Sequence, residues 1–114
     1  MNHRIEREAV RSLITKVFVK MSELHLDQVT MIRVAMGEMA GLDRADVQSC
    51  WRELSMGTPL EQAQLQFRSI AAKVQCMSCF EKYHPVNNTI HCPYCGSFGA
   101  KILTGEEFYL ESIE

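Results

Sequence analysis

Residues 76–96 read CMSCFEKYHPVNNTIHCPYCG, two Cys-x-x-Cys pairs separated by twelve residues. This spacing predicts that Cys76, Cys79, Cys92 and Cys95 bring four thiolates to one tetrahedral centre. Each Cys-x-x-Cys turn lets two sulfurs face one ion, and Gly96 permits the positive backbone angle that such turns often need. A segment of about thirty residues buries too little apolar surface to fold by itself, so a metal staple decides its structure. Four cysteines leave no open coordination position, which points to structural zinc, Zn(2+), and away from a catalytic ion. An iron site would use the same thiolates and would be recognised by its colour. His84 and His91 lie between the two knuckles and are read as exposed imidazoles, not ligands. Tyr83, Tyr94 and Phe98 are expected to form the small core of this ribbon.

On the amino-terminal side, Ile5, Ala9, Val10, Leu13, Ile14, Val17, Met21 and Leu24 recur at steps of three and four, which predicts a helix from Arg4 to Leu24. From Val29 the period falls to two. Ile32, Val34 and Met36 alternate with Met31, Arg33 and Ala35, as in a half-buried strand that Gly37 ends. Asp43 is a candidate helix N-cap, and Val47, Cys50, Trp51 and Leu54 make the apolar stripe of a second helix stopped by Gly57 and Pro59. Ala63, Leu65 and Phe67 alternate with polar residues in a second strand that runs on toward Val74. Residues 73–101 break the pattern. Beyond them Phe108 and Leu110 alternate with Glu107, Tyr109 and Glu111, a strand expected to return to the first sheet. Cys50, on the second helix's stripe, is read as a core residue.

A length of 114 residues holds one modest domain, or a small domain with a metal-stapled appendage. Lys plus Arg number 12 against 14 Asp plus Glu, a net charge of -2, so bulk composition supplies no strongly basic nucleic-acid surface. Apolar residues at 46% and charged residues at 23% are ordinary globular usage. The mixed charges of the first eight residues do not suit a signal or transit peptide. No window approaches the roughly 18 apolar residues of a membrane span. The protein is therefore expected to be cytoplasmic, where thiols stay reduced and paired cysteines signal metal or redox chemistry.

Met1-Asn2-His3 places an imidazole third from a free amine. The α-amine, two deprotonated backbone amides and that imidazole can close around an ion as four nitrogens in one plane, a set that favours nickel(II) or copper(II) over zinc.

Taken together, these stretches resemble the HypA/HybF family of nickel metallochaperones. Met36-Gly37-Glu38-Met39-Ala40-Gly41-Leu42 is similar to that family's "IGELSGV" stretch, and Gly57-Thr58-Pro59-Leu60-Glu61 to its "GTPLEG" turn. Cys92-Pro-Tyr-Cys95-Gly96-Ser97, Leu103-Thr104-Gly105 and the closing Leu110-Glu111-Ser112-Ile113-Glu114 resemble its zinc knuckle, its "LSG" and its "KSIE" ending. The resemblance implies an α+β fold: two helices on a three-stranded antiparallel sheet, residues 1–72 and 103–114, with an inserted four-cysteine zinc ribbon, residues 73–102. It also implies delivery of Ni(2+) to the large-subunit precursor of nickel-iron hydrogenase, together with a HypB-type GTPase.

The family holds nickel by the terminal amine, nearby backbone amides and an imidazole, which here map to Met1, Asn2 and His3. Arg4 contributes at most its backbone, because it stands where the family has a glutamate. Asp43 matches an acidic residue associated with the family's nickel site, and Glu38 belongs to its Gly-Glu pair; both are candidate nickel-supporting carboxylates. Phe80 and Gly96 stand where the family commonly has histidines.

These readings imply a nickel carrier rather than an enzyme, since no nucleophile-and-base pairing is legible. The alternative is a zinc-ribbon adaptor that binds protein or nucleic acid without nickel. An exposed sheet edge leaves a homodimer open through edge pairing.

Overall fold

Side-chain spacing turns into structure most directly at the first helix. In the computed structural model, which describes residues 4–86 and 90–114, helix α1 spans Arg4–Leu24 and buries Val10, Leu13, Val17 and Met21. These recur at the three- and four-residue steps of one helix face. The helix ends in a Schellman turn. His25 adopts φ 55°, its amide bonds the Ser22 carbonyl at 3.3 Å, and the Leu26 amide bonds the Met21 carbonyl at 2.9 Å, so carbonyls left over at the helix end are satisfied.

Helix α2 spans Arg44–Ser55 behind the N-cap Asp43, whose carboxylate accepts from the Asp46 amide at 3.0 Å. It buries Val47, Cys50, Trp51 and Ser55. The Trp51 indole N–H donates to the Ala63 carbonyl at 3.4 Å. Beyond the helix the Thr58 amide and hydroxyl both bond the Ser55 carbonyl, at 3.0 and 2.6 Å, and Leu60 is fully buried. The two helices pack on each other, and the Arg7 guanidinium bridges to the Glu53 carboxylate at 3.2 and 3.4 Å.

Three strands form the first sheet: β1 (Met31–Gly37), β2 (Gln64–Ile70) and β6 (Phe108–Ile113), in the order β2-β1-β6. Central β1 alternates only at its start, and Val34, Ala35 and Met36 are all buried. Met31 and Glu114 exchange amide–carbonyl bonds at 3.2 and 2.9 Å, while Gly37 donates to Glu107 at 2.6 Å. Partner numbers fall as β1 advances, so β6 is antiparallel, as expected. On the other side Gln64 donates to Thr30 at 3.0 Å and Glu38 to Ile70 at 2.9 Å. There the numbers rise together, so β2 runs parallel to β1 and the sheet is mixed. The reason is α2: a helical crossover carries the chain back to the end at which β1 began.

A second sheet lies in the cysteine-containing part: β3 (Lys73–Cys76), β4 (Lys82–Tyr83) and β5 (Ala100–Thr104), ordered β4-β3-β5 and antiparallel throughout. Val74 stands opposite both Tyr83 and Ile102. The strand expected to run from Ala63 toward Val74 is thus two strands, interrupted at Ala71 and Ala72. Val74, Cys76, Tyr83 and Cys92 form the core of this part, flanked by Ile90, Ala100 and Ile102. Of the three aromatics expected there, only Tyr83 is buried. Tyr94 and Phe98 are exposed, and Cys76 and Cys92 are the buried residues beside Val74 and Tyr83.

The chain divides into two compact units. One comprises the residues up to Ala35, with Leu42–Arg68 and Tyr109–Glu114; the other comprises Met36–Gly41 and Ser69–Phe108. Within the second, three backbone segments meet at Gly37, Ala72 and Gly105. A Cβ on Gly37 would lie 2.1 Å from the Gly105 carbonyl oxygen, and one on Gly105 would lie 2.7 Å from the Ala72 Cα. Gly105 also has φ +113°, a conformation side chains oppose. Among the described residues, no helix is long and apolar enough to cross a membrane.

Candidate metal centre

Strand β3 delivers Cys76 to the first knuckle, and the bridge between His91 and Phe98 braces the second. In the first, the Phe80 amide closes on the Cys76 carbonyl at 3.1 Å. In the second, the Gly96 amide closes on the Cys92 carbonyl at 2.9 Å. These matching turns bring Cys76 Sγ within 3.6 Å of Cys95 Sγ, and Cys79 Sγ within 3.6 Å of Cys92 Sγ. All four sulfurs lie within 4.8 Å of one another. A tetrahedron with metal–sulfur bonds of about 2.3 Å has edges of about 3.8 Å, so the donor set fits a tetrathiolate ion.

Backbone amides shape the charge of this cluster. The amides of Cys79 and Ser78, at 3.5 and 3.3 Å from Cys76 Sγ, pull the Cys76 thiol below its ordinary value. The Ser97 hydroxyl and amide hold Cys95 down at about 6. At Cys79 the Glu81 amide pulls the same way, but burial and the neighbouring thiols prevail and push it up to about 12. Adjacent sulfurs that cannot all ionise alone share protons until a cation displaces them. This environment suits a divalent ion with four thiolate ligands.

The remaining candidate residues are placed as follows. Met1, Asn2 and His3 lie outside the described residues. Arg4 opens α1 and pairs with Glu8 at 3.4 Å. Asp43 caps α2, and its own amide donates to the buried Glu6 carboxylate at 3.4 Å. The Glu38 oxygens lie 2.8 and 3.0 Å from His84 Nε2, and one accepts from the Ala72 amide at 3.4 Å. The hydrogen bond from His84 holds the Glu38 carboxyl below its usual range. This pairing was not legible in the sequence: its members are 46 residues apart and belong to no motif. His91 stacks on Phe98 with ring centroids 4.7 Å apart, and among the described residues the metal-competent cluster contains cysteines only.

Two helices, a mixed sheet and a second, short-stranded sheet carrying four converging sulfurs define a small α+β metal-binding protein. The family model described as "Hydrogenase/urease nickel incorporation, metallochaperone, hypA" matches residues 5–114, and the chain belongs to that family. It is 32% identical over 109 residues to a hydrogenase maturation factor HypA of Dehalococcoides mccartyi, covering 96% of this chain and 92% of that protein. Against the hydrogenase maturation factor HypA of Caldanaerobacter subterraneus the identity is 31% over 110 residues, covering 96% of each. The fold is shared with the solution structure of the Ni metallochaperone HypA from Helicobacter pylori. The TM-score is 0.71 and the identity 22%, over 96% of this chain and 95% of that one.

Proposed function

We propose that this protein is a cytoplasmic nickel carrier, not an enzyme, that binds Ni(II) at its amino end and passes it to the large-subunit precursor of nickel-iron hydrogenase. A HypB-type GTPase assists, and edge pairing of the sheet provides for a homodimer. Carrying this reading is the match of residues 5–114 to a nickel-incorporation family. In it, Cys76, Cys79, Cys92 and Cys95 hold a structural zinc in residues 73–102. Nickel, as cargo, is bound by the amine of Met1, backbone amides through Asn2, and the imidazole of His3, attached to residues 1–72 and 103–114. Glu38 and Asp43 are the candidate supporting carboxylates; His84 bonds the first and the Asp46 amide the second.

A division of labour follows from coordination chemistry. Four thiolates enclose an ion and exchange it slowly, whereas an amine, amides and one imidazole on a chain end leave faces open for transfer. The α-amine, with a reference pKa of about 7.7 to 8.0, must lose its proton to bind, so nickel affinity rises with pH through that range. The test is a Ni(II) titration of zinc-loaded protein read by native mass spectrometry, beside a sample with one extra amino-terminal residue and beside His3→Ala. One nickel in the parent and none in either altered form, with zinc constant, is the expected result. Nickel uptake that survives both changes refutes the site, and no uptake in any sample leaves a zinc-ribbon adaptor.

A further inference from the structure

Among the described residues, Glu6 is the one charged side chain that is buried, at 8% exposure. A buried carboxylate is costly unless it is well paired. Its pairing is slight: Oε2 accepts from the Asp43 amide at 3.4 Å, a long bond to a neutral donor, and among the described residues it is the one Glu6 oxygen engaged. The neighbouring cations turn elsewhere. Arg4 pairs with Glu8 at 3.4 Å, Arg7 with Glu53 at 3.2 Å, and the Arg44 guanidinium lies 5.0 Å from the centre of the Phe67 ring. A neutral acceptor would satisfy one amide, so that bond does not explain why a charge is kept here.

Position points to a second partner. Glu6 lies in the first turn of α1, three residues after His3. Helical side chains lean toward the amino-terminal end of their helix, so the Glu6 carboxylate is directed toward the chain that enters α1. Asp43 fixes Oε2 from the other side and leaves Oε1 for that entering chain. An imidazole that binds a metal through one ring nitrogen keeps an N–H on the other, and it almost always gives that N–H to a carboxylate, a carbonyl or a water.

We infer that Glu6 is the positioning carboxylate of the amino-terminal nickel site, with Oε1 accepting the N–H that the His3 ring retains when its other nitrogen ligates Ni(II). The inference rests on the carrier reading proposed above. It gives Glu6 no metal–oxygen bond, because the amine, two amides and the imidazole already make a plane of four nitrogens. The carboxylate instead fixes the tautomer and direction of the ring and raises the basicity of the ligating nitrogen. Asp43 then acts twice: its side chain caps α2 at the Asp46 amide, and its own amide holds Glu6 in place.

The test uses the zinc-loaded full chain and Ni(II) alone. Glu6→Gln keeps the size of the side chain and an acceptor for the Asp43 amide but loses the charge. It is expected to weaken nickel binding at least about tenfold in the titration, with zinc content and thermal stability at the parent value. Glu8→Gln removes the same charge from an exposed neighbour and is expected to leave nickel affinity within about twofold. Square-planar Ni(II) is diamagnetic, so NMR can follow the His3 ring N–H in nickel-loaded protein: protected from solvent exchange in the parent, and exchanging fast in Glu6→Met, which has no acceptor. Parent-like nickel affinity in both Glu6 variants overturns the inference, as does equal weakening by Glu8→Gln or a ring N–H that Glu6→Met leaves unchanged. Nickel affinity that falls only in step with thermal stability assigns Glu6 to the fold and overturns it too. No nickel uptake by the parent sinks the carrier reading and this inference with it, whereas parent uptake beside an unaltered Glu6→Gln titration sinks this inference alone.

Discussion

The two units reach order by different physics. In the first, Val10, Val17, Ile32, Val34, Val47 and Leu60 are fully buried, and helix pattern and apolar area do the work. In the second, the core is Val74, Tyr83 and two cysteines, with strands of two to five residues. So small a core would leave most of its cohesion to an ion held by the four thiolates. Structure that rests on many weak contacts tolerates single losses; structure that rests on one coordination centre does not.

The sharpest way to break this contrast is to remove the metal. Chelation, or Cys76→Ser, is expected to abolish the β3–β5 amide signals in NMR while the α1 and α2 signals persist, since structural zinc sites bind with about 10 kcal/mol or more. Simultaneous loss of both sets would show that the first unit depends on the ion too. Next comes the backbone crossing: Gly37→Ala places a methyl 2.1 Å from a carbonyl oxygen, and denaturant unfolding should register a loss of about 3–4 kcal/mol. In the first unit, Leu60→Ala removes a fully buried side chain and is expected to cost about 2–5 kcal/mol in the same assay, with zinc content unchanged.

A smaller effect separates capping from metal support. Asp43→Ala should cost about 1 kcal/mol, whereas Asp43→Asn, which still caps, should leave both stability and nickel stoichiometry at the parent value. The smallest is titrational. Because His84 lowers the Glu38 carboxyl, ionised Glu38 favours the folded form. This contribution is present above the ordinary carboxylate pKa and lost as pH falls through the lowered one. Carboxyl NMR shifts should show Glu38 titrating below a reference glutamate, and His84→Ala should raise it.

Legibility in the sequence followed the same divide. Both helices were readable because their apolar stripes repeat over three or more turns and Asp43 carries a capping side chain. The four sulfurs were readable because Cys-x-x-Cys spacing is local. The second sheet was not: Lys82–Tyr83 is too short to show a period, and its pairing is fixed by knuckles rather than by alternation. The parallel course of β2 was hidden in the topology of the α2 crossover. Tyr94 and Phe98 looked like core by residue type, but the interior holds Cys76 and Cys92 instead. Glu38 and His84 carried no shared signal across 46 residues.

The bond between the Thr30 hydroxyl and the Glu114 carbonyl joins residues 84 positions apart. Pairing the last strand with β1 therefore closes a long loop, an entropic barrier that slows folding. Cross-linking Cys76 to Cys95 through an ion shortens that loop from within. An ion held by the four cysteines would then speed the placing of the final strand, and a chain folding without one would keep the flank of its central strand bare for longer.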